Sequence, residues 1–334
     1  MELGLKEMWR QKRRFSLIFV ITLLIVLLTT LITGLADGLA YDNGATVREL
    51  DTDTFHLSAD AEGQLTRSFI EQAPTDGLTP LAVKPLTFVN ETKVDATIFA
   101  LPADSSIGPS LDLEVGEVLV DPSFLETFVV GDTVEDFTSG YRFTIAGVTD
   151  GRFSHAPVVW TTMETWAAYQ QAAGGPTYVS ALLGEGDTSL SAYTKQEIIE
   201  SVPGYSAEQG TFDMMRGFLL VIGAFILTAF FYMVTLQKLP ELGILKAIGI
   251  RTRSIGTALV SQVFVTVVFA SGVASLITWL STRIVPEAIP FQFELANVML
   301  FSALFVLISL LGTILPLQTL RRLDAADALG GRMT

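Results

Sequence analysis

Residues 15–36 run for 22 positions without a charged side chain. At 1.5 Å per residue that is about 33 Å of helix, enough to cross a hydrocarbon core of roughly 30 Å. Three more apolar stretches of comparable length follow, within 207–237, 255–280 and 295–318. In lipid every backbone amide and carbonyl must be satisfied inside its own segment, so stretches of this length predict membrane helices. The fold class expected is a membrane α-helical protein with four transmembrane helices and a mixed α/β extracytoplasmic domain inserted between helices 1 and 2. A cleaved signal peptide is the rival for the first stretch, since Gly38-Leu39-Ala40 has a small-x-small pattern. Its apolar core exceeds the usual 7–15 residues, which favours a span.

Charge gives the orientation. Residues 1–14, 237–254 and 319–334 together hold twelve Lys/Arg and five Asp/Glu, whereas the rest of the chain holds nine and thirty. Basic segments stay on the cytoplasmic side. The expected order is therefore a cytoplasmic N-terminal segment (1–14, with Trp9 as interfacial anchor), a first span (15–36) and an extracytoplasmic α/β domain (37–210). A stalk plus second span (207–237), a short cytoplasmic amphipathic helix (238–253) and a third span (255–280) come next. An outer loop (281–294), a fourth span (295–318) and a cytoplasmic tail (319–334) closed by Arg321 and Arg322 complete it. Both termini lie inside, in the cell membrane. The acidic outer domain argues against nucleic acid as a partner. The spans are read as free of charge within the bilayer, which argues against an ion channel or proton relay.

Between the first two spans, 84–89 and 93–101 read as strands, the second with Val94, Ala96, Ile98 and Ala100 alternating. Leu65, Phe69, Ile70 and Ala73 suggest a helix closed by Pro74. Further strands are expected at 117–120, 142–148, 157–160 and 177–183. Helices are expected after a capping box at Thr161-x-x-Glu164, ended by Gly174-Gly175-Pro176, and near 190–201. The chain has no cysteine and only two histidines, His56 and His155. Thiolate sites and His-rich metal clusters are thereby excluded. No nucleophile-elbow string or calcium loop is present, and no catalytic residue is expected. His155 reads as a surface or packing histidine in a loop.

A second capping box, Ser206-x-x-Gln209, precedes the second span. A helix from 207 to 236 would reach about 45 Å, so its excess would project as a stalk. Gly210 and Gly217 weaken that continuity. Gly34 and Gly38 form a GxxxG that would let helices approach closely.

The segment 237–253, QKLPELGILKAIGIRTR, lies between two spans and holds Lys238, Lys246, Arg251 and Arg253. Pro240 and Glu241 suit a helix start, and Leu242, Leu245 and Ile248 fall on one face. A short amphipathic helix at the inner surface is expected; the plainer alternative is a basic loop. The string ELGILKAIG at 241–249 closely resembles the E-x-G-x-L-[KR]-A-x-G signature of FtsX/MacB-type ABC permeases. In that family the segment is a coupling helix seated in a groove of the cytoplasmic ATPase. The resemblance thus implies ATPase coupling for Glu241, Leu242, Gly243, Leu245, Lys246, Ala247 and Gly249. The chain has no G-x-x-x-x-G-K-[ST], so ATP and Mg belong to a separate ATPase subunit and the chain is not by itself an enzyme.

The order GEVLVDPSF…GDTVEDF…FTIAGVTDGRFSHAPVVWT resembles the outer domain of the same family. The compact chain opening GLKEMWRQKRRFSLI most resembles its DevC/HrtB-like branch, whose HrtB members export haem from Gram-positive bacteria. The resemblance implies a permease homodimer in lipid, working by mechanotransmission and exporting haem or another lipophilic compound from the outer leaflet. It implies no covalent cofactor. The alternative is a non-transporting FtsX-like regulator of an extracytoplasmic partner such as a cell-wall hydrolase; a peptide-antibiotic sensor would carry more spans. If haem is the cargo, its iron would find ligands where the second span leaves the membrane. Glu208, Phe212 and Met215 share a helical face there, beside Tyr205, which places metal contact, if any, at Glu208 and Met215.

Overall fold

The computed structural model describes residues 12–71, 77–90, 92–286, 289–315 and 317–318. Trp9, Ala73, Pro74, Arg321 and Arg322 lie outside them. The chain divides into two compact units, one of residues Leu39–Gln209 and one of the residues to either side.

In the inserted unit the sheet runs β10-β1-β9-β2-β3-β8-β4-β6-β5, with β7 paired to β8. The strands are β1 (Thr54–Leu57), β2 (Thr79–Val89), β3 (Lys93–Leu101), β4 (Glu117–Val120), β5 (Thr133–Asp136), β6 (Arg142–Val148), β7 (Arg152–Phe153), β8 (Ala156–Thr162), β9 (Ala181–Leu183) and β10 (Ser191–Thr194). Phe88 and Val89 of β2 also pair with β5, so β2-β3-β8-β4-β6-β5 closes on itself. Side chains alternate across these strands. Ala82, Leu86 and Phe88 of β2 and Ala96, Ile98 and Ala100 of β3 enter one core with Val120, Val134 and Phe143. Leu81, Val83, Phe99 and Leu101 enter the other with Phe55, Val158, Trp160 and Ile199.

Helix α2 (Met163–Ala172) covers the first core with Trp166 and Tyr169. The Tyr169 hydroxyl accepts from Lys84 Nζ at 2.9 Å and donates to Asp136 Oδ2 at 3.4 Å. Burial, with Asp136 beside it, raises the phenol's pKa far above the usual value and keeps it protonated.

Three local expectations are corrected. Residues 65–71 do not form an α-helix: Leu65–Arg67 is a single 3-10 turn, and Ile70 pairs as a bridge with Val179. The bridge fixes Ile70 in extended backbone, which ends the turn. The cap of α2 is Thr162, which accepts from the Thr165 amide, while Thr161 donates instead to Glu117 O on β4. The segment near 190–201 divides into β10 and the short helix α3 (Lys195–Glu200), with the capping box at Thr194 and Glu197.

Among the described residues, four helices are long and apolar enough to cross a membrane. They are α1 (Lys12–Glu49), α4 (Tyr205–Ala247), α5 (Thr252–Ser281) and α6 (Leu295–Gly312). Outside the inserted unit, Ile18, Val26, Leu227, Phe231, Val263, Val267 and Phe305 make their common core. Gly34 and Gly38 serve a close approach, though not one between helices. They receive the segment before α6: Gln292 N donates to Gly34 O, and a Cβ at Gly38 would collide with Pro290. Gly223 packs on Phe305, and Gly312 on Thr228.

Candidate functional site

The segment singled out in the sequence is the end of α4. The helix continues through Gly210, Gly217 and Pro240 without a break until Ala247. Residues 238–247 are therefore the last turns of one 43-residue helix, and not a separate helix lying on the surface. Proline removes a single amide from the ladder, a loss that membrane helices tolerate. The stop comes two residues after Ala247. Ile248 N still bonds Ile244 O at 3.0 Å, and Gly249 N bonds Lys246 O at 3.1 Å. Gly249 has φ +93°, the left-handed conformation that a glycine adopts at a helix end. α5 restarts at Thr252.

On these turns Glu241 is exposed, Leu242 and Lys246 are half-buried, and Gly243 is buried. Leu245 and Ala247 lie on the helix backbone between them. Two apolar side chains face outward one turn apart: Ile244 is 53% exposed and Ile248 69%. Ile244 falls on a variable position of the family signature, so the motif does not flag it. Lys238, on the preceding turn, sits over the Phe15 ring at 5.7 Å.

At the other end of α4, Tyr205 packs against the core of the inserted unit. Glu208 meets two groups that the sequence reading did not connect to it. Asn43 Nδ2 donates to Glu208 Oε2 at 2.9 Å, and His155 Nε2 stands 3.2 Å from the same oxygen. Asn43 comes from the last turns of α1. Its neighbour Gly44 leaves helical geometry and passes so close to Ile199 that an added Cβ would lie 2.7 Å away.

His155 is placed by a hairpin. Ser154 and His155 join β7 to β8 at φ +52° and +62°, a two-residue turn with both centres left-handed. Ser154 N donates to Asn43 O at 3.0 Å, which fastens the turn to α1. His155 Nε2 is also 2.9 Å from Asn43 Nδ2. One ring nitrogen cannot accept from the amide and donate to the carboxylate at once, so its proton selects the bond. Among the described residues both donors fall on Oε2 of Glu208, and none on Oε1. Lower on α4, Phe212 is half-buried and Met215 is 40% exposed.

Near the start of α4 one charge is buried. Arg216 lies within the candidate span Tyr205–Ile244 and its side chain is only 8% exposed. It pairs with Asp37 of α1 at 3.3 Å and with Asp213 at 3.0 Å, and donates to Thr33 O. Its guanidinium carbon is 5.1 Å from the centre of the Phe301 ring on α6. A buried charge persists because it is paired.

The family model for the FtsX-like permease C-terminal region matches residues 214–325, which takes in most of α4, the signature string, α5 and α6. Along 99% of both chains this protein is 28% identical to relatives from two strains of Staphylococcus epidermidis that bear the name hemin transport system permease protein HrtB. A relative of the same name from Staphylococcus haemolyticus is 25% identical, again over 99% of both chains. The crystal structure of the extracellular domain of the noncanonic ABC-type transporter YknZ from Gram-positive bacteria covers 41% of this chain and 84% of that one. It does so at 15% identity and a TM-score of 0.29, too loose a likeness to carry a conclusion. Residues 214–325, with the ELGILKAIG string at the end of α4, thus match the FtsX-like permease C-terminal region, and over its full length the chain is similar to permeases named for hemin transport.

Proposed function

We propose that the chain is the membrane subunit of a mechanotransmission exporter. As a homodimer with a separate cytoplasmic ATPase, it releases haem or a similar flat, lipophilic acid from the outer leaflet. The observation that carries this reading is the unbroken helix Tyr205–Ala247. At 1.5 Å per residue it is about 65 Å long, roughly twice a hydrocarbon core. It joins the segment that resembles an ATPase-coupling helix to residues packed in the inserted α/β unit. A push at one end of a continuous helix needs no separate linkage to reach the other. The relatives named for hemin transport support the cargo.

In this reading the α/β unit is extracytoplasmic and the 248–251 turn cytoplasmic. The chain has no cysteine, so single-cysteine variants test this cleanly. An impermeant thiol reagent on intact cells should label Glu114→Cys and leave Ile248→Cys unlabelled. Labelling of the latter from outside would overturn the orientation.

For the cargo, Glu208 is the proposed iron ligand through Oε1, with Asn43 and His155 orienting its carboxylate through Oε2. Phe212 offers a ring to stack and Met215 a thioether. Haemin added to the detergent-purified protein should give a Soret band that Glu208→Ala or Met215→Ala shifts. His155→Ala should weaken binding about tenfold, as loss of a group that orients a ligand does. A band unchanged by the two ligand variants rejects these residues.

The regulator reading keeps one supporting observation: Leu125, Val129 and Val130 are exposed close together on the inserted unit, which suits a protein partner. Absence of any haemin binding would favour it.

A further inference from the structure

Between α5 and α6 runs a groove of about 680 Å³, lined by Arg253, Gly256, Val260, Phe264, Val265 and Leu310 among others. We infer that it holds an anionic phospholipid, with the head phosphate at Arg253 and an acyl chain between the two helices.

Its walls are mostly apolar, and its polar groups gather at the α5 start. The hydroxyls farther in are already used: Thr257 donates to Ser254 O at 2.9 Å and Ser261 to Ala258 O at 2.8 Å. Arg253 is exposed at the mouth, and among the described residues no acidic group pairs with it. The first amides of α5 add to the same end, because no side chain caps this helix.

The depth matches one leaflet. From Arg253 to Val265 is about 18 Å of helix, against about 15 Å for half a hydrocarbon core. The volume lies in the range of about 300–1,000 Å³ usual for pockets that hold lipophilic molecules. A basic mouth on an apolar cleft between membrane helices is the chemistry that selects an anionic headgroup.

A helix from a second copy fits less well. Close helix packing needs small residues at the contact. Gly256, the smallest residue of the lining, is already covered: an added Cβ would lie 2.9 Å from Leu317. Phe264, 46% exposed, stands in the way farther along.

Attaching an environment-sensitive fluorophore at Val260→Cys and reconstituting the protein in phosphatidylcholine nanodiscs tests this without any ATPase. Brominated phosphatidylglycerol should quench at about fivefold lower mole fraction than brominated phosphatidylcholine, the preference one basic group near the surface confers. Arg253→Gln should erase the difference, while Arg251→Gln, in the same turn but outside the lining, should keep most of it. Inorganic phosphate should not compete, because it lacks the chain. Equal quenching by the two lipids in the unaltered background would overturn the proposal. So would competition by free phosphate, or a Val260→Cys crosslink between two copies in place of lipid quenching.

Discussion

Replacing Arg216 with methionine is expected to destabilise the membrane helices by about 3–5 kcal/mol, the usual cost of removing one partner from a buried ion pair. Asp37, whose side chain is 12% exposed, would be left without its cation beside Glu294, just before α6, and Asn297 on it. The pair with Asp213 matters far less, because that carboxylate is 69% exposed and screened by water. A second variant separates the ion pair from simple packing. Arg216→Met combined with Asp37→Leu removes both buried charges and should recover a large part of the loss. Thermal unfolding in detergent would measure both. An equally large loss in the double variant would show that Arg216 acts through its packing on Phe301 and not through its charge.

Ile244→Asp is expected to abolish coupled transport while leaving insertion and folding intact. Ile244 is 53% exposed, so the substitution costs this chain little by itself. A carboxylate driven into an apolar contact with the ATPase proposed as partner would cost several kcal/mol if it found no donor. A loss of about 3 kcal/mol at an interface hot spot weakens association by roughly two orders of magnitude. Leu242→Asp should act the same way, with some added loss of stability because Leu242 is half-buried. Co-purification of the ATPase with each variant, beside ATP hydrolysis and export, reads the effect. Retention of the ATPase and full export by both variants would remove the coupling role from these turns.

The cluster around Glu208 shows why a functional face is only partly legible in a chain. Glu208, Phe212 and Met215 are four and three residues apart in turn, so their shared face follows from the helical repeat alone. Asn43 and His155 are 165 and 53 residues from Glu208, and no periodicity connects them. They arrive through a left-handed hairpin turn and through Gly44 fitting under Ile199. Arg216 and Asp37 are likewise 179 residues apart.

By itself the sequence determined what depends on neighbours a few residues away. Uncharged runs long enough to cross a bilayer predicted the four membrane helices. Period-two alternation placed β3, and the strands expected at 117–120 and 142–148 are found there as β4 and β6. The signature string marked the end of α4, and Gly249 supplies its stop. Tertiary structure decided the rest. Whether Pro240 starts a new helix or is carried within an old one is a small local preference, which packing of α4 along its length can override. Whether 65–71 coils or pairs depends on Val179, more than a hundred residues away. Local propensities are worth about 1 kcal/mol or less per residue, so contacts from distant parts of the chain outweigh them wherever the two disagree.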